Sequence, residues 1–160
     1  MRERRFVDDS RAISERLLRQ LDALPQFVEG VPRAELDKRV NGKWSVTENA
    51  AHLARHTELT IERVRRILAE EEPIFPPYRA EQDAEWPALQ ARSFEEVVEK
   101  LRATRADLAA RVALLTPEQL ARTGRHARFG SMTLRAWLEF FLAHEGHHLY
   151  VILKRAHGVE

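Results

Sequence analysis

The chain has 160 residues, no cysteine, and 26 Lys and Arg against 25 Asp and Glu, for a net charge of +1. That length suffices for one domain with a substantial core, and the charge balance leaves no global field to recruit nucleic acid or an acidic membrane. Without cysteine there is no disulfide, thiolate metal site or cysteine nucleophile, so a metal would have to be held by His, Asp, Glu or water.

The basic first residues are not followed by an apolar stretch, and no run approaches the roughly 18 apolar residues that a membrane span needs. A cytoplasmic protein is expected. The first helix is predicted over residues 9–27, with Ile13, Leu17, Leu21, Leu24 and Phe27 at helical spacing, Leu18 widening the stripe, and Asp8, Asp9 or Ser10 as N-cap. Pro25 falls late in this pattern, so an end just before it is expected. Residues 29–42 contain two turn signals, Gly-Val-Pro and Asn-Gly, and a possible short helical piece over 33–38.

Ser45-Val-Thr-Glu48 is a capping box, in which the serine hydroxyl and the glutamate three residues on each accept from the other's backbone N–H. It opens a long helix to about Glu71, with Val46, Ala50, Leu53, Thr57, Thr60, Val64 and Ile67 or Leu68 on one face. Pro73, Pro76 and Pro77 then break the chain. About twenty residues without clear periodicity follow, with a possible short helix placing Trp86 against the bundle, and such a linker is usually functional or a crossover. Ser93-Phe-Glu-Glu96 is a second capping box, opening a helix with Val97, Leu101, Thr104, Leu108 and Val112 inside, to about Leu115. Thr116-Pro-Glu-Gln119 starts a short turn, residues 122–131 form a loop or minimal hairpin, and Thr133 caps the final helix. Four long amphipathic helices without a convincing strand predict an all-α four-helix bundle, with a long loop between helices 2 and 3 and residues 1–160 as a single domain.

The final helix carries the chemistry. At about 100° per residue, Leu134, Trp137, Phe141, His144, His148, Val151 and Ile152 share roughly a third of its circumference, so His144 and His148 lie one turn apart on the expected buried face. Two imidazoles at this spacing can present nitrogens to one metal ion. His147 and His157 fall off that stripe. A third ligand is needed, and the second helix offers His52 and His56, the helical wheel slightly favouring His56.

Lys43-Trp44-Ser45-Val46-Thr47-Glu48-Asn49-Ala50-Ala51-His52-Leu53, with His144-x-x-x-His148-Leu far downstream, resembles the DinB/YfiT-like family of metal-binding four-helix bundles. The likeness runs over nearly the whole chain. It implies His52, His144 and His148 as the metal triad, with His56 in a supporting or substitute position. It further implies a homodimer and a metal-dependent enzyme of thiol-transferase or hydrolase type, in which a low-molecular-weight thiol would be a cosubstrate. Three imidazoles suit zinc or nickel better than calcium or magnesium. A non-catalytic metal-binding or dimeric structural bundle is the alternative.

His144-Glu145-Gly146-His147-His148 also matches H-E-x-x-H, the zinc-protease signature. Only twelve residues follow it, too few for the usual downstream ligand, and no sheet is predicted to bear a peptide, so this reading ranks last. Glu145 is retained as a candidate catalytic acid or base, against a plain polar residue on the bundle's flank. Pocket walls are expected from residues 73–92 and 122–131, where Arg79, Arg125, His126 and Arg128 are candidate binders of a carboxylate or thiol cofactor, against the simpler reading of solvated charges. Trp44 and Trp137 are expected to be core anchors, and Trp86 a lid or a packed loop residue. With no basic stripe or base-stacking surface, the expected partner is a small-molecule substrate, with no nucleic acid and no membrane.

Overall fold

The computed structural model describes residues 2–159, with side chains from residue 9 onward. Helix α1 (Arg2–Gln20) runs through Asp9 and Ser10, so no cap falls there, and the side chain of Asp8 lies outside the described ones. The helix stops at Gln20 rather than before Pro25, which instead lies inside the short α2 (Ala23–Phe27). Ile13, Leu17 and Leu24 are buried, but Leu18 faces solvent and does not widen the stripe. The short α3 (Arg33–Leu36) follows, and Asn41-Gly42, both at positive φ, turn the chain so that Val40 bridges Lys43.

Helix α4 (Val46–Ala69) begins at the expected capping box, with the Ser45 hydroxyl accepting from the Glu48 N–H and the Glu48 carboxylate from the Ser45 N–H. Strand β1 (Ile74–Phe75), a 3-10 turn at Ala80–Gln82 and α5 (Trp86–Gln90) occupy the long loop. Helix α6 (Phe94–Ala113) has the second capping box, α7 (Pro117–Ala121) a third, and β2 (Thr123–His126) and β3 (Gly130–Thr133) form the hairpin before α8 (Leu134–Ala156), capped by Thr133. The absence of a sheet is therefore corrected. Strand β1 pairs parallel with β2, which pairs antiparallel with β3. A two-residue strand among prolines has no periodicity to announce it, and only tertiary pairing makes it a strand. Its approach requires Gly124, where a Cβ would come within 2.9 Å of both Ile67 and Phe75.

The four long helices form the bundle. Helix α4 packs on α6 and α8, and α1 on α6 with a lighter contact to α8, so α1 and α4 face each other across the diagonal. The core falls into two apolar clusters, one containing Leu17, Val64, Leu108, Trp137 and Leu142, the other Leu24, Leu53, Leu101, Leu149 and Ile152. Gln20, Thr57, Arg105 and Glu145 lie between these clusters on all four helices. Arg105, only 1% exposed, donates to the Leu17 carbonyl at 2.8 Å, to Thr57 Oγ1 at 3.4 Å and to both oxygens of Glu145, which is wholly buried. Gln20 adds a 2.9 Å hydrogen bond to Glu145. The inward residue of α6 at this level is thus Arg105 rather than the expected Thr104, which is half-buried and bonds the Lys100 carbonyl. Among the described residues no helix is long and apolar enough to cross a membrane.

Candidate metal centre

Four histidine rings from two helices meet at the level of this polar layer. His52 and His56 come from α4, His144 and His148 from α8, and each pair is separated by one helical turn. The capping box sets where α4 begins, and Trp44 beside it packs on His52 at 5.1 Å and on Trp86 at 5.0 Å between ring centroids. His52 and His56 lie well off the α4 packing stripe, yet they are 6% and 5% exposed. The long loop buries them, through Trp86 and through Tyr78, whose ring lies 5.6 Å from His52 and 5.5 Å from His56. Trp86 is a packed residue, not a lid at the surface.

On α8 the fully buried stripe runs through Leu134, Leu138, Phe141, Glu145, Leu149 and Ile152. The sequence reading centred it on the histidines. They flank it instead, half-buried, on the side turned to α4.

The geometry suits a small cation. His52 Nε2 and His144 Nε2 are 3.3 Å apart. Two nitrogens bound to zinc at about 2.0–2.1 Å with a tetrahedral angle stand roughly 3.3–3.4 Å apart. Ligand atoms of His52, His56 and His144 lie within 4.8 Å of one another. His148 is outside that set, although its ring centroid is 4.4 Å from His52 and 4.6 Å from His144, tilted to both. His56 instead stacks on His144, with centroids 4.0 Å apart and planes at 26°.

His148 is the one of the four whose tautomer is set by a neighbour. The Asn49 amide nitrogen donates to the Ser45 carbonyl at 2.8 Å and the Trp44 carbonyl at 3.3 Å, leaving its Oδ1 as an acceptor. His148 Nδ1 lies 2.9 Å from that oxygen and must carry the hydrogen, so the Nε2 lone pair is free. The Nδ1 atoms of His52, His56 and His144 are buried without a protein partner.

Burial, then the neighbouring imidazoles, lowers the pKa of His52 to about 3. His148 falls to about 3 through burial and then His144 and His147, and His144 to about 4 through burial and then His147 and Arg63. Burial, followed by His144 and His52, puts His56 well below its ordinary value. Near neutral pH all four are therefore uncharged, the form in which imidazole ligates a metal.

Glu145 does not join them. One residue beyond His144, it turns about 100° toward the bundle axis, where its hydrogen bonds go to Arg105 and Gln20. It is neither exposed on the flank nor hydrogen-bonded to a histidine. Tyr150 is exposed, with the Lys154 ammonium over its ring.

Asp83 locks the loop over the histidines. It accepts from Arg55 Nε at 2.6 Å, from the Tyr78 hydroxyl at 3.0 Å and from the Glu85 N–H at 3.0 Å. Burial opposes its ionisation, but these bonds prevail and hold it below the usual range. Burial and then the Asp83 bond push the Tyr78 hydroxyl pKa up. On the far side of Tyr78 opens a cavity of about 350 Å³ between α4 and the loop. Of the expected pocket-mouth residues only Arg79 lines it. Arg125 pairs with Glu72 at 3.4 Å, Arg128 is exposed, and His126 is buried with Nδ1 accepting from the Arg128 and Phe129 N–H groups.

Asn49 is the contributor hardest to read from sequence, its only signal being its place within the motif that holds His52. Tyr78, like Tyr150, is a residue type that can assist at a metal, but nothing in the sequence places either one there, and only the fold sets Tyr78 against the rings.

A four-helix bundle with clustered imidazoles on facing helices defines the class. The sequence profile of the DinB superfamily matches residues 16–152, and the chain belongs to that superfamily. Among solved structures it is similar to YfiT from Bacillus subtilis, described as a probable metal-dependent hydrolase with an unusual four-helix bundle topology. The two share 23% identity with a TM-score of 0.72, over 99% of this chain and 89% of that one, a likeness of fold. A comparison with curated proteins finds no match.

Proposed function

We propose that this protein is a metal-dependent enzyme acting on a small molecule, with one divalent transition ion, zinc or nickel, held by His52, His144 and His148. The observation that carries the reading is the 3.3 Å approach of two uncharged imidazole nitrogens from different helices, the separation expected of co-ligands. The preset tautomer of His148 favours it as the third ligand. His56, stacked on His144, has no neighbouring acceptor that sets its tautomer. The convergence of the His52, His56 and His144 ligand atoms within 4.8 Å favours a second reading, with His56 as third ligand.

Three neutral imidazoles leave the ion its full positive charge, and the chemistry it supplies when bound is Lewis-acid activation of a nucleophile for hydrolysis or thiol transfer. In thiol transfer the nucleophile must be a cosubstrate, since the chain has no cysteine. Trp44, Trp86 and Tyr78 keep bulk water off the rings, and Asp83 holds Tyr78 in place. The description of YfiT as a probable metal-dependent hydrolase agrees with this reading.

Elemental analysis of the purified protein tests it. About one transition metal per chain is expected, lost in His52→Ala and His148→Ala and kept in His56→Ala. Loss in His56→Ala with retention in His148→Ala would select the second ligand set. No metal after zinc or nickel is supplied would end the proposal.

A further inference from the structure

The cavity across Tyr78 from the histidines has more positive charge in its wall than the protein neutralises. Arg55, Arg63, Arg66 and Arg79 line it, against the carboxylates of Glu62 and Asp83. Arg55 is held by Asp83 and Glu58, Arg66 by Glu70, and Glu62 is taken by Arg65. Two guanidinium groups remain. Arg79 is exposed, and water suffices for it.

Arg63 is not so placed. It is half-buried, its guanidinium lies over the Trp137 ring 5.3 Å from the centroid, and among the described residues no carboxylate or carbonyl accepts from it. Burial lowers its pKa, and no acid opposes that effect. A charge taken out of water without an anionic partner is costly, and a ring face satisfies only one side of the group. The planar edge with its N–H donors is left for a ligand.

Its position relates this edge to the metal centre. Arg63 is seven residues beyond His56 on α4, two turns on, so both project from one face of the helix about 10 Å apart along its axis. Leu59, Phe75 and Pro76 give the intervening wall an apolar character, and Tyr78 belongs both to the cavity and to the ring cluster.

We propose that Arg63 anchors a carboxylate-binding subsite in this cavity, and that the substrates are small carboxylates with an apolar body. A planar guanidinium matches a carboxylate with two parallel hydrogen bonds, and one unpaired cation balances one negative charge. The link to a reactive centre rests on the metal-site reading above, but binding at Arg63 does not need the metal.

Benzoate, the neutral isostere benzamide and inorganic phosphate are the probes, titrated into the full chain, metal-free and zinc-loaded, by calorimetry and by following the Arg63 Nε–H resonance. Benzoate is expected to shift that resonance and to bind at least about tenfold more tightly than benzamide, the ratio for one hydrogen bond to a charged group. Arg63→Met should bring benzoate to the benzamide level with zinc content unchanged, while Arg63→Lys retains part of the preference. The proposal is overturned by equal binding of benzoate and benzamide to the wild type, by unchanged benzoate binding in Arg63→Met, or by phosphate binding more tightly than benzoate. Arg63-dependent benzoate binding to a protein that takes up neither zinc nor nickel would support the subsite and sink the metal reading alone.

Discussion

Replacing Glu145 with Gln separates two roles for one carboxylate. In the structure its oxygens bond to Arg105 and Gln20, with Glu145 0% and Arg105 1% exposed, so the substitution sets an amide N–H₂ against a buried guanidinium. Removing one member of a buried ion pair typically costs about 3–5 kcal/mol, because the survivor is left charged in a poor solvent. Against a total stability of about 5–15 kcal/mol this is a large fraction. At roughly 2–4 °C per kcal/mol for a chain of this size, the midpoint should fall by about 6–20 °C. Urea and thermal unfolding would be followed for Glu145→Gln, Arg105→Met and the Glu145→Met, Arg105→Met double variant, which should regain much of the loss since neither charge remains. Metal content below the midpoint should stay at the wild-type level. A Glu145→Gln protein as stable as wild type, with turnover abolished, would refute the reasoning and return Glu145 to acid–base chemistry.

Two further perturbations address the histidines directly. Asn49→Ala removes the acceptor that sets the His148 tautomer, and metal affinity should fall about 10–100-fold, the usual effect of losing a residue that orients a ligand; chelator competition measures it, and unchanged affinity would exclude His148 as an Asn49-oriented ligand. The metal-free protein should lose stability in acid. Unfolded histidines titrate near 6.5, whereas His144 in the fold titrates at about 4 and His52 and His148 at about 3. Between those values the unfolded state binds more protons, so stability is level above about pH 7. It falls as pH drops below 6.5, by at most about 1.4 kcal/mol per pH unit for each histidine, until the folded values are passed. Urea midpoints from pH 8 to 4 test this, and a flat profile in wild type, matching that of His52→Ala, would contradict burial in the neutral form.

Much of the frame was legible because its causes are local. Ser45, Ser93, Thr116 and Thr133 each bond to a backbone N–H three residues on, so the chain marks those helix starts without reference to anything distant. The histidine pairs were legible for the same reason, as i, i+4 spacing on one helix needs no tertiary information. What lies between helices was not legible. The stripe of α8 admitted several centres, and packing on α4 and α1, with Arg105 reaching across from α6 to Glu145, chose the one through Glu145, which moved the histidines to its edge. His52 and His56 are buried by Trp86 and Tyr78, from a loop with no periodicity to read. Arg105 and Glu145 are charges in a sequence and counter-ions only in the fold, because 40 residues separate them. The pairing of Ile74 with Arg125, the Asn49 bond to His148 and the unpartnered edge of Arg63 belong to the same class. Short-range hydrogen bonds and helical periodicity are properties of the chain, whereas burial of a polar group and the choice of its partner arise only when distant segments exclude water together.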